Sequence, residues 1–269
     1  MATAGPGRPG LQRTLILGLL LGLAACAWAL LGWQRAGGGM AMASPSMGLR
    51  APLFLAIWVV MMVAMMFPAA APMILAFHRV QAGRRRQGGA FVATWVFVSG
   101  YMLVWTLAGG AAYAGALGAE AIAARAALAP ATGARIGGAL LIVAGIYQLT
   151  PVKDLCLSKC RTPVGFIMTA WREGTMGALR MGVLHGAWCL GCCWLLFVIL
   201  FPLGIMNLGA MAAITLVVIA ERTLKWGRQV AVVTAAALVA YGAAVLVVPQ
   251  ALPTFPAAGG MAMTGPGGR

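Results

Sequence analysis

The sequence predicts an all-α, polytopic transmembrane helix bundle of about seven spans with its amino terminus in the cytoplasm. Three observations carry this. Of 269 residues, 62% are hydrophobic and 9% charged, where a soluble domain carries about 25% charged residues. Mean hydropathy is +0.94. The apolar residues also fall into runs near the ~20 residues that a helix needs to cross a bilayer.

In chain order the runs cover about residues 14–33, 52–77, 91–117, 134–150, 181–201, 204–220 and 230–248, within one helical domain over residues 14–250. A cytoplasmic tail, residues 1–13, precedes this domain, and a Met/Gly/Pro-rich tail, residues 251–269, follows it. The first run follows Arg8 and Arg13 like a signal peptide and holds Cys26 in an Ala-Cys-Ala triplet. It continues to Trp33 without a clear cleavage site, and so reads as a retained signal anchor. The sixth run is short; as a re-entrant segment it would reduce the count to six spans.

Lys and Arg set the orientation. Fourteen fall in one set of alternate loops: Arg8, Arg13, Arg79, Arg84, Arg85, Arg86, Lys153, Lys159, Arg161, Arg172, Arg180, Arg222, Lys225 and Arg228. The other set holds five: Arg35, Arg50, Arg125, Arg135 and Arg269. The richer set belongs in the cytoplasm. The net charge of +15 is therefore a topology signal, since the basic residues are dispersed between apolar runs and form no nucleic-acid patch. The partner this implies is the lipid bilayer, with no nucleic acid. Two stretches containing Met-Ala-Met, at residues 37–47 and 259–265, then share the outer side. They read as flexible segments, and their thioethers are soft enough to ligate cuprous copper weakly.

The most informative segment is Gly182-Val-Leu-His-Gly-Ala-Trp-Cys-Leu-Gly-Cys-Cys-Trp194 in the fifth run. His185, Cys189, Cys192 and Cys193 follow one another at separations that align side chains on one helical face. Ionisable residues within a span usually mark function. A second pair, Cys156 and Cys160, lies in the preceding loop one helical turn apart, beside Lys153, Lys159 and Arg161, which would favour thiolates. The cytosol keeps such thiols reduced. On the second run, Met61 with Met65 and Met62 with Met66 stand one turn apart, so at least one pair faces the interior; Pro68 and Pro72 follow. Packing is the plainer reading of all these sulfurs. The metal reading gathers Cys156, Cys160, His185, Cys189, Cys192, Cys193, Met61, Met62, Met65 and Met66 as ligands for a soft transition metal. Thiolate with thioether points to cuprous copper before zinc.

Three blocks, Trp58-x-x-Met-x-x-Ala-Met-Met-x-Pro-x-x-x-Pro72, Tyr147-x-Leu-Thr-Pro-x-Lys-x-x-Cys-x-x-x-Cys-Arg-x-Pro163 and Gly182-x-x-x-Gly-x-x-Cys-x-Gly-Cys-Cys-Trp194, followed by Gly204-x-Met-Asn207 and Glu221, give the chain a family likeness over about residues 50–250. It resembles the uncharacterised bacterial family of predicted metal-binding integral membrane proteins. The resemblance implies a multi-pass protein of the bacterial inner membrane that handles metal.

No nucleotide-binding loop is present, so active pumping by this chain alone is not expected. A carrier, a metal-loading factor or a sensor would all look like this, and no catalytic residues are assigned. A metallochaperone or another membrane subunit would be its partner. Two alternatives are a membrane thiol–disulfide oxidoreductase using Cys189-Leu-Gly-Cys192, and a structural membrane partner whose cysteines only pack. Asn207 is expected to cap a helix, Glu221 to pair with Arg222 or Lys225 near the surface, and His78 to be a solvated interfacial histidine.

Overall fold

The computed structural model describes residues 9–36, 44–88 and 91–254. The Met-Ala-Met segment at 40–42, the tail from 255 onward and the first eight residues lie outside them. The described residues form α1 (Pro9–Ala36), α2 (Ala51–Arg86), α3 (Thr94–Arg125), α4 (Pro130–Tyr147), α5 (Pro151–Arg161), α6 (Pro163–Ala170), α7 (Gly174–Val198), α8 (Leu200–Leu203), α9 (Leu208–Thr223) and α10 (Gly227–Val247), followed by a 3₁₀ turn, Pro249–Ala251.

Among the described residues, six helical stretches are long and apolar enough to cross a membrane: α1, α2, α3, α4, α7 continued by α8, and α10. The short sixth run forms α9, 16 residues long, which Asn207 caps by accepting a hydrogen bond from the Ala210 amide at 3.2 Å. Proline starts α2, α4, α5 and α6, where its missing N–H and fixed φ suit the first helical turn. Several helices outrun their apolar cores: α2 continues to Arg86 and α3 to Arg125. Glu120 therefore sits on α3, where it accepts from the Ser44 and Ser46 hydroxyls and the Ser46 amide.

Pro68 and Pro72 lie inside α2 without ending it. Pro68 has no N–H to offer the Ala64 carbonyl four residues back. The Trp28 indole donates to that carbonyl at 3.1 Å and so fastens α1 to α2. Trp58 of α2 donates in the same way to the Trp105 carbonyl of α3 at 2.9 Å.

Helices α3 and α7 meet through glycine. A Cβ at Gly182 would stand 2.0 Å from the Phe97 carbonyl oxygen, and one at Gly100 2.3 Å from that of Leu179. Only glycine allows this approach, the small-residue contact that packs helices where the hydrophobic effect cannot. It brings Tyr101 of α3 against Cys189 of α7. Helices α4 and α10 use the same device at Gly138 and Gly242. On the outside of the bundle, Leu15, Leu19 and Leu23 of α1 and Val232, Val233 and Val247 of α10 are exposed.

Candidate metal centre

The helical separations on α7 place Cys189, Cys192 and Cys193 on one buried face. The thiols of Cys192 and Cys193 donate to the Cys189 carbonyl at 3.1 and 2.9 Å. The Cys189 sulfur lies 3.0 Å from the Tyr101 hydroxyl. Helix α5 packs across the same stretch and buries Cys156 and Cys160. Gly191 makes room for it, because a Cβ there would sit 2.8 Å from the Cys156 sulfur. The Tyr147 hydroxyl donates to the Gly191 carbonyl at 2.5 Å and fixes the approach. Five free cysteines are thus buried on two packed helices, while Cys26 is exposed on α1.

Basic neighbours were expected to favour thiolates on α5, and the opposite holds. Burial, with Cys192 nearby, raises the pKa of the Cys156 thiol, and hydrogen bonding to Cys192 together with burial holds that of Cys160 well above its ordinary value. Lys153, one of the expected basic neighbours, is committed elsewhere. It is fully buried, donates to both carboxylate oxygens of Glu221 at 2.7 Å, and also bonds Gln148. Glu221 was expected near the surface with Arg222 or Lys225; it is buried and paired with Lys153 instead. The apolar run hid this, since Lys153 and Glu221 are distant in sequence and meet only through the packing of α5 on α9.

The residue that sequence reasoning missed is Arg222. Its guanidinium, 7% exposed, projects from the end of α9 among the α7 sulfurs. Nη2 lies 3.0 Å from Cys189 Sγ, 3.2 Å from Cys192 Sγ and 4.0 Å from Cys193 Sγ. Nε and Nη1 have no hydrogen-bond partner. In the sequence Arg222 reads as one more loop cation; its place after a 16-residue apolar run too short to span was the available signal.

His185, one turn before Cys189, is 1% exposed, and neither ring nitrogen has a partner. Its ring lies against Tyr101 and Phe97 at centroid distances of 5.5 and 5.9 Å, with Phe166 at 5.6 Å. A buried polar group without a partner costs about 1–3 kcal/mol and calls for an explanation. The imidazole borders a cavity of about 260 Å³, together with Cys160, Arg222, Met73 and Pro72. His78, expected to be solvated, is buried and bonded to the Thr94 hydroxyl at 3.2 Å.

All four predicted methionines, Met61, Met62, Met65 and Met66, are completely buried. None of the four lines the cavity beside His185. Met73, on the same helix and not anticipated, is the methionine that reaches the cavity.

As the side chains stand among the described residues, no group of three or more His, Cys, Asp or Glu is disposed to hold a metal ion. Two thiols are turned onto a backbone carbonyl, and a guanidinium lies against the sulfurs. That speaks against a closed four-ligand zinc site. Cys189 and Cys192 both contact the same Arg222 nitrogen.

The PpoB2 family, described as copper chaperones, matches residues 55–245. The chain belongs to this family. The matched stretch contains all ten predicted ligands as well as Tyr101, Lys153, Glu221 and Arg222. The likeness to metal-handling proteins is thereby narrowed to copper. No curated protein and no solved structure matches the chain.

Proposed function

We propose that this copper-chaperone family member is an integral membrane protein of the bacterial inner membrane that takes cuprous copper from the cavity beside His185 onto the α7 thiols and passes it to a recipient protein. The observation that carries the reading is the gathering of Cys189, Cys192 and Cys193 about one buried cation, beside a cavity bordered by Cys160, His185 and Met73. Membrane insertion is supported by six helices of spanning length and by the exposed leucines and valines of α1 and α10, which lipid would cover. The excess of Lys and Arg in alternate loops favours a cytoplasmic amino terminus.

Soft ligands of different strength suit a chaperone. His185 and Met73 offer a neutral nitrogen and a thioether at the cavity, and the cysteines offer stronger thiolates behind them. Copper moves by exchange: a bond to the next ligand forms as a bond to the previous one breaks, without change of oxidation state. A metallochaperone or a membrane subunit with its own thiolates would supply or accept the ion.

The test is copper bound per chain, measured by mass spectrometry after anaerobic purification of the full chain in detergent and loading with Cu(I). Wild type should hold about one copper that survives desalting, and the Cys189→Ser/Cys192→Ser variant less than a tenth of that. A wild-type chain that retains no copper contradicts the reading.

A further inference from the structure

Each of the four acidic residues of the chain bonds a partner other than Arg222 and the cysteines. Glu120 is bonded to Ser44 and Ser46, Asp154 to Arg228, Glu173 to Arg84, and Glu221 to Lys153. Lys153 and Glu221, the buried ion pair, cancel each other. Arg222 is therefore a buried cation whose facing groups are sulfurs and no carboxylate. A guanidinium stays charged under all ordinary conditions, and an unpaired charge is severely penalised when buried. The guanidinium thus contributes a permanent +1 before any metal arrives.

We propose that Arg222 is the specificity determinant of the thiol site, a permanent counter-cation that admits a univalent soft ion on two thiolates and rejects a divalent one. This rests on the copper reading above. Two thiolates with one univalent ion carry −1, and the guanidinium at 3.0 and 3.2 Å from the two sulfurs brings the buried assembly to zero. Two thiolates with Zn²⁺ are neutral by themselves, and the same guanidinium leaves +1 in an environment that does not solvate it. A third thiolate would restore neutrality for zinc, but Cys193 stands farther from the guanidinium than the other two sulfurs, at 4.0 Å. When copper binds, two Cu–S bonds form, any protons carried by the sulfurs leave to solvent, and Arg222 remains paired with the anionic complex.

The experiment loads purified full-length chain with equimolar Cu(I) and Zn(II) under anaerobic conditions and reads both metals by mass spectrometry. Wild type and Arg222→Lys, which keeps the charge, should bind copper and exclude zinc. Arg222→Met should lower the copper-to-zinc ratio at least tenfold. An unchanged ratio in Arg222→Met, with the copper still lost on Cys189→Ser/Cys192→Ser, overturns this inference and leaves copper binding standing. A wild-type chain that binds no copper overturns both. If Arg222→Met does not fold, the wild type decides alone. Ag⁺ and Cd²⁺ are both thiophilic and differ in charge. Ag⁺ should displace the bound copper one for one and Cd²⁺ should not; displacement by Cd²⁺ overturns the inference.

Discussion

The protein holds two buried sulfur systems, and they are built differently. The α7 cysteines are tied to polar groups at every turn: Tyr101, the Cys189 carbonyl and the Arg222 guanidinium, with the Lys153–Glu221 pair alongside. The α2 methionines are equally buried but have no polar partner. Thiols can be held charged and can bind a metal strongly, so their surroundings must be organised. Thioethers stay neutral and fill space as adaptably as any side chain in a core. Burial and spacing make the two systems look alike in the sequence, and only the polar groups from other helices distinguish them.

The contrast breaks most severely at the polar frame. Glu221→Gln strands Lys153 as an unpaired buried charge, and removing one partner of such a pair costs about 3–5 kcal/mol. A large drop in the thermal midpoint in detergent is expected, and a shift within error would mean that the pair carries little of the fold. His185→Phe separates function from stability. It removes two buried nitrogens without partners and keeps an aromatic ring in the stack with Tyr101 and Phe97, so stability should hold or rise. Copper loading followed by stopped flow should slow about tenfold, as loss of one ligand to a transient ion implies; unchanged loading would remove His185 from the path. Trp28→Phe leaves the Ala64 carbonyl without a donor and should cost about 1–3 kcal/mol by the same midpoint, with copper binding intact.

On the methionine side the effects are smaller. Met61→Leu/Met65→Leu conserves volume, should cost less than about 1.5 kcal/mol per site, and should leave copper stoichiometry unchanged. Loss of copper in that variant would promote the methionines from packing to ligands. The smallest effect concerns pH. Since burial raises the pKa of the Cys156 thiol, it stays protonated below that raised value and becomes a reactive thiolate only above it. Alkylation of Cys156, followed by peptide mass spectrometry, should therefore accelerate at higher pH than an ordinary thiol; a midpoint below the ordinary range would contradict its placement.

The helices were legible because a stretch able to cross a bilayer must be long, apolar and helical, and six stretches of the described residues are. The α7 cysteines were legible for a similar reason, since their helical spacing alone aligns them. Long-range partnerships were not. Lys153 and Glu221, or Arg222 and Cys189, meet through the close approach of helices whose order in space a single sequence does not state. The glycines that permit the approach of α3 to α7, Gly100 and Gly182, looked like any others in a chain with 37 of them. Arg222 was hidden for the same reason: in the sequence it counts as one of fourteen loop cations, and in the structure it lies against the α7 sulfurs.

The central claim is that copper is held by thiolates of α7. X-ray absorption at the copper edge, on the anaerobically loaded full-length chain, reports this directly. Monovalent copper with two sulfur neighbours is expected, lost or replaced by nitrogen or oxygen in Cys189→Ser/Cys192→Ser. Copper surrounded by nitrogen or oxygen in the wild type, or a sulfur environment that survives the double substitution, would contradict it.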